Sequence, residues 1–93
     1  MIMGIQQFLT SSGIQMQTLE FWLEQEWLIP EQTASGMRFS ETDVARAHLI
    51  QSLKVDFGVN DEGIDVALHL IDQLHGIRRA LAQVHEEMRG GSV

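Results

Sequence analysis

The sequence predicts an all-α protein: a helix-turn-helix with a small wing, followed by a long C-terminal helix of coiled-coil character. Three observations predict it. Two short amphipathic stretches flank Gly13, a polar segment with apolar edges follows Pro30, and from residue 67 onward apolar residues recur in alternating steps of three and four. Ninety-three residues suffice for one small domain plus an extension and exclude a large enzyme with its own cofactor fold.

Taken in order, Ile5, Phe8 and Leu9 at helical spacing predict a first helix, and Thr10-Ser11-Ser12-Gly13 predicts its stop. A second helix is expected from Gln17 to Leu28. Its apolar set Leu19, Trp22, Leu23 and Trp27 puts both tryptophans on or near one buried face, and Pro30 ends the segment. Between Ile29 and Phe39 the helical period disappears, and Glu31-Gln32-Thr33-Ala34-Ser35-Gly36 reads as a hairpin or wing.

Ser40 followed three residues later by Asp43 is the pattern of a capping box and starts a third helix. Val44, Ala45, Leu49, Ile50, Leu53 and Phe57 are expected to face inward, with Gly58 as a left-handed stop. Asn60 or Asp61 then caps the last helix, whose first turn carries Asp61, Glu62 and Asp65, acids that complement the positive end of the helix dipole. Along it Ala67, Leu70, Leu74, Ile77, Leu81, Val84 and Met88 form an a/d seam over about three heptads, which predicts pairing with a second copy. A second stripe, Ile64, Leu68 and Ile71, covers only the first half, so that half is expected to pack on the preceding unit and the remainder to project. The organisation expected is a helix-turn-helix unit at 1–58, a dimerisation helix at 59–89 and a flexible tail at 90–93.

Composition narrows the function. Six Lys and Arg against thirteen Asp and Glu give a formal charge of −7, a field that repels phosphate backbones and anionic lipid. Nucleic acid is thus a disfavoured partner. The absence of cysteine removes disulfides, thiol catalysis and Cys-based zinc sites, and fits a reducing, cytoplasmic setting. The start Met1-Ile2-Met3-Gly4 lacks a basic region followed by an apolar stretch, and the apolar runs are short, so neither a signal peptide nor a membrane span is expected. His69, His75 and His85 are spaced by six and ten, not by the three or four that place two ligands on one helix face, and no metal or cofactor is expected. Asp72 and His75, three apart, read as a surface pair. Without a glycine-rich phosphate loop or a nucleophile signature the chain is not expected to be an enzyme.

The stretch Thr18-Leu19-Glu20-Phe21-Trp22-Leu23-Glu24-Gln25-Glu26-Trp27-Leu28-Ile29-Pro30 resembles, without a gap, the second helix of MerR-type winged helix-turn-helix regulators, patterned Thr-Ile-Arg-Tyr-Tyr-Glu-Arg-x-Gly-Leu-Leu-x-Pro. Met37-Arg38-Phe39-Ser40 with Asp43 and Val44 is similar to that family's wing end, and the terminal seam to its dimerisation helix. Within the family, residues 58–74, with their Gly-Ile, Ala-Leu, Leu and Asp pattern, resemble the chaperone-modulator branch, CbpM. The likeness extends over roughly Ile5 to Met88. It implies a MerR-like fold and a protein that binds the J-domain of a CbpA-like, DnaJ-like co-chaperone and suppresses its stimulation of DnaK.

The chain departs from the DNA-reading pattern where it matters physically. Glu20 stands where the family pattern has Arg, and Glu24 where a second Arg is common, so one helix face is reversed in charge. Phosphate contacts and the counterion release they drive are lost there. Arg38 alone does not offset this, and Glu26, in place of the pattern's Gly, puts the left-handed turn after the helix in question. The expected J-domain contacts are Glu20, Phe21 and Glu24, with Asp61, Glu62, Asp65 and Asp72 as further acids. An acid pair on a helix more often serves solubility, and first-turn acids are explained by the dipole; the position of Glu20 and Glu24 on the recognition-helix face is what favours docking. The rival readings are a MerR-like DNA-binding regulator and an acidic adaptor for some other protein.

Overall fold

The computed structural model describes residues 2–91. Their order is α1 (Ile5–Ser12), α2 (Met16–Glu24), a hairpin of β1 (Glu31–Thr33) and β2 (Gly36–Arg38), α3 (Glu41–Gln51), a π-helical turn (Ser52–Asp56) and α4 (Asp61–Gly91). This is the expected fold: a helix-turn-helix, a two-stranded wing and a long C-terminal helix. The chain divides into two compact units, Met1–Asp61 and Glu62–Val93.

The core of the first unit follows from the apolar spacing. Phe8, Leu19, Trp22, Trp27, Leu28, Phe39, Ala47 and Ile50 are all buried, and α1 packs against α3. Phe8 and Phe39 stack with centroids 4.2 Å apart, joining α1 to the end of the hairpin. The hairpin pairs Glu31 with Arg38, Gln32 with Met37 and Thr33 with Gly36. An antiparallel bridge between Met3 and Phe39, with both N–H···O bonds at 2.8 Å, ties the segment ahead of α1 to the wing. Nothing in the period of the sequence announces this bridge, because a single pairing leaves no alternation to read. No described buried side-chain nitrogen or oxygen lacks a hydrogen-bond partner.

Local chemistry sets the boundaries. Gly13, at φ 77°, takes the left-handed position after α1, and its N–H donates to the Leu9 carbonyl at 2.9 Å. Ser40 and Asp43 form the reciprocal box that starts α3: Asp43 N–H donates to Ser40 Oγ at 3.3 Å, and Ser40 N–H to Asp43 Oδ2 at 2.8 Å.

Three expectations are corrected. First, α2 ends at Glu24, not Leu28, so Trp27 is not on its face. The N–H of Trp27 donates to the Trp22 carbonyl at 2.9 Å and that of Glu26 to the Leu23 carbonyl at 3.1 Å, the paired bonds of a Schellman motif. Glu26 occupies the left-handed position at φ 60°, so the turn that glycine usually makes is kept by a residue that resists it. The turn brings Trp27 back to Trp22, ring centroids 6.4 Å apart, as the motif's apolar contact. Replacing Glu26 with Gly is expected to stabilise the fold by about 1 kcal/mol through relief of the left-handed penalty, read as a higher urea midpoint at unchanged slope.

Second, Phe57 is 74% exposed rather than inward-facing. The helix beyond Gln51 widens to a π turn, with the Phe57 N–H reaching the Ser52 carbonyl at 3.2 Å, and the slip rotates Phe57 off the buried face. Gly58, at φ 65°, is the left-handed stop expected there. Third, Ala45 is exposed and Ala47 buried, because the inward line of α3 runs through Ala47 and Ile50 in steps of three and Ala45 lies off it.

Helix α4 begins at Asp61 and is helical through Gly91, so Gly90 and Gly91, expected in a tail, are helical; Ser92 and Val93 lie outside the described residues. Ile64 and Leu68 are buried and Ile71 is half-buried, whereas Leu70, Leu74, Ile77, Leu81, Val84 and Met88 are all exposed.

Candidate functional site: the acidic face of the second helix

A helix turns about 100° per residue, which decides what α2 shows to solvent. Leu19 and Trp22 point to the core. Leu23 is half-buried beside them, and Glu20 lies about 60° and Glu24 about 100° round the helix from Leu23. Both glutamates are exposed. Phe21 follows Glu24 round the helix; its ring meets the edge of Trp27 at 5.6 Å and 84°, while 36% of the residue remains exposed. It is therefore both supported by the core and open to a partner. The two acids stand between two apolar boundaries, Phe21 on one side and Leu23 on the other.

Trp27 underlies this face. It is buried, its carbonyl accepts a hydrogen bond from Arg46 Nε on α3, and the Lys54 ammonium lies 5.8 Å over its ring. Lys54 Nζ also donates to Asp61 Oδ1 at 2.9 Å. Asp61, expected as a partner contact, is thus engaged by a cation of its own unit. Arg38 on β2 donates from Nη2 to Ser35 Oγ at 2.8 Å across the wing turn.

Glu62, Asp65 and Asp72 belong to the second compact unit, all exposed on α4. Asp65 and Asp72, seven apart, share a face pointing away from the Leu70–Leu74–Ile77 seam. On the same helix Gln73 and His69 share a hydrogen bond at 3.3 Å. Among the described residues no three His, Cys, Asp or Glu side chains are grouped so as to hold a metal ion, and no helix is long and apolar enough to cross a membrane.

One neighbouring feature was missed from the sequence. Beyond Leu23, a cleft of about 250 Å³ opens between the end of α2 and the hairpin, with Leu28 and Pro30 as buried lining, and Ile29 and Met37 at its edges. The available signal was the pair of apolar edges flanking the polar stretch after Pro30; only the hairpin register brings them together.

The sequence pattern described as MerR HTH family regulatory protein matches residues 3–86, and so takes in α1, α2, the wing, α3 and most of α4. The chain belongs to the MerR helix-turn-helix family. A comparison with curated proteins finds no match. In this MerR-family protein, α2, the second helix of the helix-turn-helix, carries Glu20 and Glu24 on its solvent face, and the cation of the wing is turned to its own serine.

Proposed function

We propose that this MerR-family protein is a non-enzymatic regulator that binds protein rather than DNA: it docks through α2 on the J-domain of a CbpA-like co-chaperone and masks the surface through which that domain stimulates DnaK. The observation that carries the reading is electrostatic. The first unit holds three basic side chains, Arg38, Arg46 and Lys54, against eight acids, and each of the three is engaged within the unit, by Ser35, the Trp27 carbonyl and Asp61 respectively. A duplex needs cations facing its phosphates, and the exposed face of α2 presents two carboxylates instead. A J-domain exposes a basic helix, which such a face attracts and orients.

The test is calorimetric titration of the full chain into a CbpA-like J-domain, with a DnaJ J-domain as control and salt as a variable. Saturable binding to the first, much weaker binding to the second and loss of affinity with salt support the reading; no binding, together with retention on duplex resin at low salt, returns the protein to the DNA-binding class.

The active form in this proposal is a homodimer paired through α4. An isolated helix of 31 residues, about 46 Å long, keeps its shape poorly in water when one apolar stripe is uncovered, and Gly76 lowers its intrinsic propensity by about 1 kcal/mol. A second copy laid on the Leu70, Leu74, Ile77, Leu81, Val84 and Met88 seam covers the stripe. Ile77→Glu with Leu81→Glu is expected to convert the dimer to monomer in sedimentation at micromolar concentration and to lower the helical signal of α4. An unchanged mass for that variant rejects the seam.

A further inference from the structure

We infer that the cleft between α2 and the wing is the anchor pocket of the docking face and takes one apolar side chain projecting from a cationic amphipathic helix. This rests on the protein-binding reading above and goes beyond it by naming the seat and the chemistry of its occupant.

The shape comes first. At about 250 Å³ the cleft is smaller than the pockets that enclose drug-sized ligands, and it suits a side chain better than a small molecule. Buried Leu28 and Pro30 and half-buried Leu23 and Met37 line it, and Ile29 stands 74% exposed at its lip. An exposed isoleucine beside a buried apolar lining is a place where a partner side chain removes apolar area from water at both surfaces.

The charge is one-sided, and the hairpin register makes it so. Gln32 and Met37 are paired, so both point to the face that lines the cleft. Glu31 and Arg38, one place along, point to the opposite face and carry the wing's cation away. None of the residues lining the cleft is basic, and Glu26 is one of them. Glu20 and Glu24 extend the acidic margin along α2, about 6 Å apart along its axis at 1.5 Å per residue. That spacing matches cations at i and i+4 on a helix lying alongside, with an apolar residue between them entering the cleft. The occupant is therefore helical and cationic, with one aliphatic anchor.

The experiment uses the full chain, labelled for NMR, and two probes. The first is a 14-residue helical peptide with Lys or Arg at i and i+4 and one Leu on the same face; the second is the CbpA-like J-domain. Expected for the peptide are saturable amide shifts clustered at Leu23, Leu28, Ile29 and Met37, at least a tenfold loss of affinity for Ile29→Ser, and no change for Val55→Ser, which alters an equally exposed residue elsewhere. Both changes are at exposed positions, so folding is retained, and the unbound spectrum reports it. Shifts centred elsewhere, no peptide binding, or equal affinity for Ile29→Ser overturn the inference. The J-domain arm separates the two claims. If wild type and Ile29→Ser bind the J-domain equally, the cleft is rejected and the partner stands; if the peptide seats in the cleft and the J-domain does not bind, the partner is rejected and the cleft stands.

Discussion

Replacing Trp27 with alanine is expected to lower the stability of the first unit by about 3–5 kcal/mol, the usual cost of deleting a buried aromatic side chain and leaving its cavity. The indole does several things at once: it closes the Schellman turn against Trp22, supports the ring of Phe21 edge-on and lies beneath the Lys54 ammonium. Small domains hold about 5–15 kcal/mol in total, so this one truncation removes a large share. Denaturant unfolding of Trp27→Ala measures it. Trp27→Phe, which keeps a ring in contact with its neighbours, is expected to lose clearly less. A midpoint for Trp27→Ala close to wild type means that the turn after α2 is held by its backbone bonds alone, and that Phe21 needs no support from below.

Reversing the charge of the α2 face, Glu20→Lys with Glu24→Lys, is the functional counterpart. Both side chains are exposed, so the fold is expected to survive unchanged. Affinity for the CbpA-like J-domain is expected to fall by tenfold or more at low salt, chiefly through a slower association rate, because the pair turns attraction of a basic helix into repulsion. At molar salt, where the screening length is about 3 Å, the difference from wild type should largely close. A double variant that binds as wild type does at every salt concentration removes α2 from the docking surface.

Legibility followed the range of the interaction that sets each feature. The Ser40–Asp43 box, the left-handed glycines at 13 and 58 and the exposed apolar stripe of α4 depend on residues a few places apart, and each was readable from spacing. The reversed face of α2 was readable for the same reason, since Glu20 and Glu24 share a face whenever the segment is helical. Phe57 was misread because the α period was extended across a π turn, and one inserted residue per turn is enough to move a side chain from core to water. The end of α2 was misread because Glu26 adopts a conformation that its own preference opposes. The core that Trp22 and Trp27 build together holds it there.

By itself, then, the sequence determined the helix-turn-helix, the wing, the long final helix and the sign of the charge on α2, all consequences of local periodicity and capping chemistry. Only the tertiary structure decided that Trp27 returns beneath Phe21, that Met3 bridges to Phe39, that Arg38, Arg46 and Lys54 are engaged within their own unit, and that Leu23, Leu28 and Met37 meet around one cleft. Those contacts join residues from different elements. They follow from how the elements close on one another, which the spacing of residues along a chain does not encode.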